Sequence, residues 1–332
     1  MESSYLGRSN LVVSKICLGT MHFGSKTGEK EAFEVMDRAL DLGINFCNTS
    51  NNYGDEPGQA ETILGKWFKQ GGGRRERVVL ATKVYWIMER GKQVLNDEPG
   101  ISAYKVRRHL EDFLRRLQTD HIDLYQVHHF DRRVTGEEFW GSLGRFINRG
   151  DIIYVGTSNF PGWGLAKFQM IARQLGQLGI VSEQCMYNLF NRMPELEVIP
   201  AARDFGIGVL AYMPLAGGVL SGNKEVVTGS RTDTVKKEYG IGLQGNQQIA
   251  EFSKLCQEIG EKEYIVAIAW TLANPGVSSS IVGIRTPQHL EGLQKASELK
   301  LDQETLQRIG EIFNINHGKP LQPGEAPEAF AW

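Results

Sequence analysis

The 332-residue sequence has few of the features that assign a chain at a glance. Its four cysteines, Cys17, Cys47, Cys185 and Cys256, stand in or beside apolar runs without CxxC spacing, so they read as free buried thiols suited to a reducing cytoplasm. No stretch approaches the roughly eighteen uninterrupted apolar residues of a membrane span, and no apolar core of a signal peptide follows the first charged residues. A soluble, cytoplasmic protein without a membrane partner is therefore expected. Charge of one sign is also missing: 37 basic residues face 39 acidic ones, for a net charge of -2. That leaves no electrostatic footprint for nucleic acid, and any bound phosphate must be met locally. The glycine run Gly71-Gly72-Gly73 is not followed by the lysine and serine of a P-loop. The pair His128-His129 has no acidic or histidine cluster of zinc spacing beside it, and neighbouring strand residues point to opposite faces, so no metal site is expected.

What is present is an ordinary globular composition, 41% hydrophobic and 9% aromatic, enough for a sizeable core. Residues 4–15 read as a hairpin around Gly7 to Asn10, followed by a brief strand at 15–18. From there a strand–helix rhythm runs to the end of the chain. Helices are expected at 29–42, 59–68, 102–117, 137–149, 163–175, 195–204, 247–259, 266–272 and 287–297. The strands that precede helices lie near residues 17, 46, 81, 125, 155, 183, 209 and 281. Eight such alternating units point to α/β architecture, a single (β/α)8 TIM barrel spanning 1–332, rather than an open doubly wound sheet. Residues 217–246, rich in glycine, exceed a normal connection and read as a long functional loop after strand 7. The segment from about 314 carries Pro320, Pro323 and Pro327 and reads as a tail.

In such a barrel the C-terminal ends of the strands converge on one mouth. Those ends carry Gly19-Thr20-Met21, Asn48 with Tyr53, Lys83, His128, Ser158-Asn159, Gln184, Tyr212 and Gly283. Singly, each has a plain structural reading: Tyr53 a turn tyrosine, Lys83 a solvated strand-end lysine, Ser158-Asn159 a helix cap, Gln184 and Tyr212 core-edge residues. Together, a phenol, an ammonium and an imidazole form a device for proton transfer to a carbonyl oxygen, because a nearby Lys⁺ stabilises phenolate and lowers a tyrosine pKa of about 10.

The motifs Leu18-Gly19-Thr20-Met21, Asn45 to Gly54, Ala81-Thr82-Lys83, Ile122 to His128, Val155 to Phe160, Gln184 to Asn188 and Ala211 to Leu215 resemble, in order and placement, the aldo-keto reductases. That family comprises NADP(H)-dependent barrel oxidoreductases, and the likeness runs from Leu6 to about Phe313. Three stretches, Trp67-Phe68 with the glycine and arginine run after it, Arg115 to His121, and Gly324 to Glu328, further resemble a bacterial branch that includes reductases of nucleotide-linked deoxysugars.

The resemblance implies roles. Tyr53 would be the general acid in reduction, Lys83 the group that lowers its pKa, and His128 a second donor to the carbonyl. Asn48 stands where the family has an aspartate that pairs with the lysine; a neutral amide removes a charge partner and keeps a hydrogen-bond acceptor. The family binds its dinucleotide without a Rossmann fingerprint, in a groove across the strand ends. Ser158, Asn159 and Gln184 would bond the nicotinamide carboxamide and Tyr212 would stack on the ring, with Gly19, Thr20, Met21 and Gly283 on the same side of the mouth. Pro214, Leu215, Gly217 and the long loop would cover the pyrophosphate, and Arg285 would meet a 2′-phosphate, favouring NADP(H) over NAD(H). His289, Gly292 and Leu293 replace the Gln, Glu and Asn that many relatives place around the adenine.

Met21, His22, Tyr85, Trp86 and His129 would line the substrate pocket, an aromatic lining with polar edges that suits a sugar or an aromatic carbonyl. The leading expectation is an NADP(H)-dependent oxidoreductase moving hydride between nicotinamide and a small-molecule carbonyl or alcohol. Two alternatives stand beside it: an NADP(H)-binding barrel whose catalysis is altered or lost through Asn48, and the same fold with changed chemistry such as enoyl reduction. Nothing in the sequence fixes an oligomeric state.

Overall fold

A computed structural model describes residues 1–89, 91, 94–222 and 247–313. Eight parallel strands close into a barrel: β3 (Ile16–Gly19), β4 (Phe46–Asn48), β5 (Val79–Val84), β6 (Ile122–Val127), β7 (Ile152–Ser158), β8 (Ile180–Met186), β9 (Gly208–Tyr212) and β10 (Val277–Gly283). β10 pairs with β3 to complete the ring. The intervening helices include α1 (Glu29–Asp41), α2 (Gln59–Lys69), α3 (Ala103–Leu117), α4 (Gly136–Arg149), α5 (Gly162–Gln174) and α6 (Val198–Phe205). The expected (β/α)8 barrel and N-terminal hairpin are both present. The hairpin strands β1 (Ser3–Tyr5) and β2 (Val12–Ser14) pair antiparallel.

Alternation along the strands divides the core in two. One set of apolar residues, among them Ile16, Leu18, Cys47, Leu80, Tyr125 and Val127, faces outward against the helices. The other set, Cys17, Phe46, Ala81, Leu124, Val181, Leu210 and Ile281, fills the barrel interior, where Leu6 and Val13 of the hairpin join it from the N-terminal end. The hairpin is tied down there by Ser4 Oγ donating to the Ser278 carbonyl (2.6 Å) and by the Arg8 amide donating to the Gly206 carbonyl (2.8 Å). All four cysteines are free and buried.

Local chemistry sets the helix ends. Ser102 caps α3 by accepting from the Lys105 amide, and Gly150, at φ 81°, closes α4 in the left-handed region. α2 and α3 approach so closely that a Cβ on Gly65 would lie 2.1 Å from the Arg116 carbonyl oxygen. The same pair is linked by Glu61, fully buried, whose carboxylate accepts from Arg116 Nε (2.8 Å) and from the Thr82 hydroxyl (2.5 Å).

Several expected elements differ in detail. The stretch 195–204 is a 3-10 turn at Met193–Glu195 and then α6, offset because Pro194 and Pro200 fit only first turns. The single helix expected at 287–297 is a turn, Pro287–Leu290, and a short helix, Leu293–Glu298, parted by Gly292 at φ 73°. A helix at Gln303–Ile312, capped by Asp302, was not expected from the sequence. Most of the long loop, residues 223–246, and the tail from 314 lie outside the described residues. No helix among the described residues is long and apolar enough to cross a membrane.

Candidate active site

Six of the interior apolar strand residues are each followed, two positions nearer the mouth, by a residue of the candidate site on the same face. Cys17 leads to Gly19, Phe46 to Asn48, Ala81 to Lys83, Leu124 to Gln126, Leu210 to Tyr212 and Ile281 to Gly283. Period-two alternation thus floors the site with the interior core and sets these residues above it on the mouth side.

Lys83 is fully buried, and its Nζ donates to the Thr49 carbonyl (2.7 Å) and to the Tyr53 hydroxyl (3.2 Å). The ammonium also lies 4.8 Å from the Tyr53 ring centroid. Among the described residues no carboxylate pairs with it. Burial pushes its pKa down to about 7, against the weaker opposing effects of Cys17, Glu61 and Cys47. Asn48, paired across the strands with Ala81, is engaged elsewhere: its Oδ1 accepts from Gln126 Nε2 at 3.1 Å.

His128 sets its ring edge-on to Tyr53, with centroids 6.2 Å apart, and its Nδ1 is 3.2 Å from the buried Ser50 hydroxyl. Burial first, then the charge of Lys83, holds its pKa well below the ordinary histidine value, so the ring is neutral and its tautomer decides what it can donate. The Ser50 hydroxyl donates its one proton to Asn52 Oδ1 (2.8 Å), so its oxygen stands as an acceptor toward His128 Nδ1.

His128 and His129 do not point to opposite faces, as alternation predicts. Their rings stack at 5.0 Å and 9°, because β6 ends at Val127 and the chain bends there. His129 packs in turn against Tyr85 (5.0 Å) and Trp86 (5.2 Å), and those two rings meet edge to face at 5.3 Å. The expected lining residues Tyr85, Trp86 and His129 therefore form one aromatic wall beside Tyr53. Among the described residues no group of three or more His, Cys, Asp or Glu is arranged to hold a metal ion.

On the opposite side, Ser158, Asn159, Gln184 and Tyr212 form a connected set. Ser158 Oγ donates to the Gln184 carbonyl (2.9 Å), Asn159 Nδ2 donates to the His128 carbonyl (3.0 Å), and the Tyr212 hydroxyl donates to Asn159 Oδ1 (3.0 Å). Asn159 holds a left-handed φ of 56°, and the next amide, of Phe160, donates to the buried Glu183 (3.1 Å). Burial pushes the Glu183 carboxyl up to about 8. Gln184 Oε1 is buried without a hydrogen-bond partner among the described residues.

Gly19 pairs with Asn48 and with Gly283, and Thr20 donates through both its amide (3.1 Å) and its hydroxyl (3.2 Å) to the Asn48 carbonyl. The turn after it, with Met21 and His22, places the His22 ring 3.9 Å from where a Gly283 Cβ would stand. Pro214, Leu215 and Gly217 form the tight turn after β9, with Met213, Ala216 and Gly217 all at positive φ. Arg285 is exposed just past β10, with its carbonyl accepting from Thr27 Oγ1 (3.0 Å). His289 turns its Nδ1 back to the Thr286 hydroxyl (2.7 Å), capping the short turn that follows.

Sequence reasoning did not single out Ser50, Thr49 or Gln126. Gln126 was legible, since it lies two residues before His128 and shares its face. Ser50 was not, because its partner comes from a strand 78 residues away.

The aldo/keto reductase family model matches residues 15–314. The chain is 49% identical over 339 residues to the "Uncharacterized oxidoreductase YrpG" of Bacillus subtilis (strain 168), covering 100% of both proteins. It is 32% identical to the "Putative voltage-gated potassium channel subunit beta" of Schizosaccharomyces pombe, over 94% of this chain and 93% of that one. It is 30% identical to the "Versiconal hemiacetal acetate reductase" of Aspergillus parasiticus, over 98% and 100%. With that match across nearly the whole barrel, the chain belongs to the aldo/keto reductase family and is an oxidoreductase by kinship.

Proposed function

We propose that the protein is an NADP(H)-dependent carbonyl oxidoreductase, a single barrel domain acting on a small aldehyde, ketone or keto-sugar in a reducing, cytoplasmic setting. The observation that carries this reading is the contact between the buried Lys83 Nζ and the half-buried Tyr53 hydroxyl, 3.2 Å, beside the aromatic wall. Tyr53 gives its phenolic proton to the carbonyl oxygen as it becomes an alcohol. Lys83 donates to that phenolic oxygen and stabilises the phenolate left behind. His128, neutral and edge-on to Tyr53, faces the same oxygen, fixes its orientation and, in the tautomer with the proton on Nε2, donates to it.

The residues fit a nicotinamide dinucleotide. Gln184 Oε1, buried and unpartnered, suits the NH2 of a carboxamide, and Ser158 and Asn159 stand beside it. Tyr212, anchored through its hydroxyl, would present its ring face to the nicotinamide. Arg285 would meet a 2′-phosphate, Pro214, Leu215 and Gly217 the pyrophosphate, and His289 the adenine end. When bound, the dinucleotide supplies the hydride.

A second reading, an NADP(H)-binding barrel with lost or altered catalysis, is favoured by one observation: among the described residues no carboxylate pairs with Lys83, and position 48 is asparagine. Relatives named as reductases and as channel subunits lie at nearly equal identity, so kinship does not choose between the two readings. Purified protein mixed with NADPH and a panel of aldehydes, ketones and keto-sugars should consume NADPH, and Tyr53→Phe should abolish that. NADPH binding without turnover on any member of the panel would favour the second reading.

A further inference from the structure

Behind the aromatic wall lies a buried polar group that the strand-end residues do not account for. Asp97, Lys105 and His109 are at most 3% exposed, and Asn51, two residues before Tyr53, is fully buried. Lys105 Nζ, on α3, donates to the carbonyls of Tyr85 (2.7 Å), Asp97 (3.0 Å) and Glu98 (2.8 Å). Asp97 Oδ2 accepts the amides of Met88 (2.9 Å) and Glu89 (3.2 Å), while its Oδ1 lies 2.9 Å from His109 Nε2. Asn51 Nδ2 reaches the Trp86 carbonyl (3.2 Å) and His109 Nδ1 (3.4 Å).

Proton directions in this chain have one consistent solution. A carboxylate only accepts, so His109 carries its proton on Nε2 and gives it to Asp97. Burial pushes the His109 pKa down to about 4, so the ring is neutral and Nδ1 is a lone pair that accepts from Asn51. The second proton of the same Asn51 NH2 then goes to the Trp86 carbonyl. Asn51 is itself fixed in the Tyr53 turn, its carbonyl accepting from the Gly58 amide at 2.7 Å.

We infer that Asp97, His109 and Asn51 form a positioning relay that holds Trp86, and with it the aromatic wall, against the turn carrying Tyr53, and so sets how tightly a bulky carbonyl substrate is held. The inference rests on the oxidoreductase reading above for its effect on substrate. None of the three residues touches the reacting atoms; they act through the Trp86 backbone.

The test compares three variants of the full chain. His109→Gln keeps the pattern, with Oε1 accepting from Asn51 and Nε2 donating to Asp97. His109→Leu removes both bonds. Asp97→Asn keeps shape but offers an N–H to His109 Nε2, which moves the ring proton to Nδ1 and sets donor against donor at Asn51. Fluorotryptophan labelling, with Trp86→Phe to assign the signal, reads the Trp86 environment by fluorine NMR, and steady-state kinetics with benzaldehyde read the pocket. In His109→Leu and Asp97→Asn the Trp86 signal should shift or broaden and the benzaldehyde KM rise about tenfold, with NADPH affinity unchanged; His109→Gln should match the parent. An unmoved Trp86 signal in both disrupting variants overturns the relay, as does an unchanged KM or a His109→Gln protein that behaves like His109→Leu. If His109→Leu does not fold, the isosteric Asp97→Asn decides. A parent protein that reduces no carbonyl defeats the oxidoreductase reading instead, and the fluorine spectra still decide whether the relay holds Trp86.

Discussion

Asn48 and Lys83 stand on neighbouring strands, Asn48 paired with Ala81 two residues before the lysine, and the amide oxygen of Asn48 is taken by Gln126 while the ammonium of Lys83 is taken by the Thr49 carbonyl and Tyr53. Position 48, which the resemblance sets against the family's aspartate, carries a neutral crosslink between β4 and β6. Among the described residues the buried lysine is held by dipoles alone.

This arrangement fixes a pH dependence. Burial lets Lys83 lose its proton near a pKa of about 7, so carbonyl reduction that relies on the ammonium should fall as pH rises through that value. Asn48→Asp supplies a charge that favours the ammonium and should move the alkaline limb of kcat upward by about one pH unit or more. Identical pH profiles for the two proteins would count against the role given to Lys83.

Stability should show the same group from the other side. A folded-state value of about 7 lies below the unfolded lysine value, roughly 10.4. Between them the unfolded chain binds more protons, so stability rises with pH across that window and the full cost of the buried ammonium is present below it. Lys83→Met removes the titrating group, and urea unfolding of the variant from neutral to alkaline pH should lack the rise.

Ser50 Oγ is 3.2 Å from His128 Nδ1 and has no counterpart in roles assigned from the sequence. Ser50→Ala should lower kcat/KM for carbonyl reduction by about tenfold, the worth of one hydrogen bond, with NADPH affinity unchanged. Ser50→Thr keeps the hydroxyl and should retain most activity. Equal losses in both variants would point to packing rather than to the imidazole.

Cofactor choice is separable by titration. Gln184→Leu deletes the unpartnered acceptor and should weaken NADPH and NADH alike, by about tenfold. Arg285→Ala should weaken NADPH by about tenfold or more and leave NADH unaffected. Parallel losses for both dinucleotides would remove Arg285 from the 2′-phosphate.

Glu61 joins α2 to Arg116 of α3 and to Thr82, one residue from Lys83. Glu61→Ala leaves Arg116 without its carboxylate and should cost roughly 3 kcal/mol in denaturant unfolding. A loss under about 1 kcal/mol would mean that water replaces the pair.

The barrel was legible because its signals are local: apolar alternation, caps such as Ser102, and stops such as Gly43 and Gly150. The helix at Gln303–Ile312 carries the same signals, Asp302 as cap and Leu306, Ile309 and Phe313 at helical spacing, but lies beyond the eight strand–helix units that complete the barrel. The split at Gly292 was hidden because a positive φ leaves no mark on periodicity. Tyr53, Lys83 and His128 were legible as strand ends of a closed ring. Which neighbour an amide chooses was not: Asn48 bonds Gln126 rather than Lys83 through a geometry that only the assembled barrel defines. The relay from Asp97 to Asn51 draws one residue each from two loops and a helix, so no linear spacing announces it.

The hairpin beneath the barrel has a kinetic meaning. Leu6 and Val13 stopper the N-terminal end beneath a packed interior, so among the described residues no path runs through the barrel. On the oxidoreductase reading a substrate would reach and leave Tyr53 at the strand-end mouth, and exchange there would order the arrival and departure of reactants.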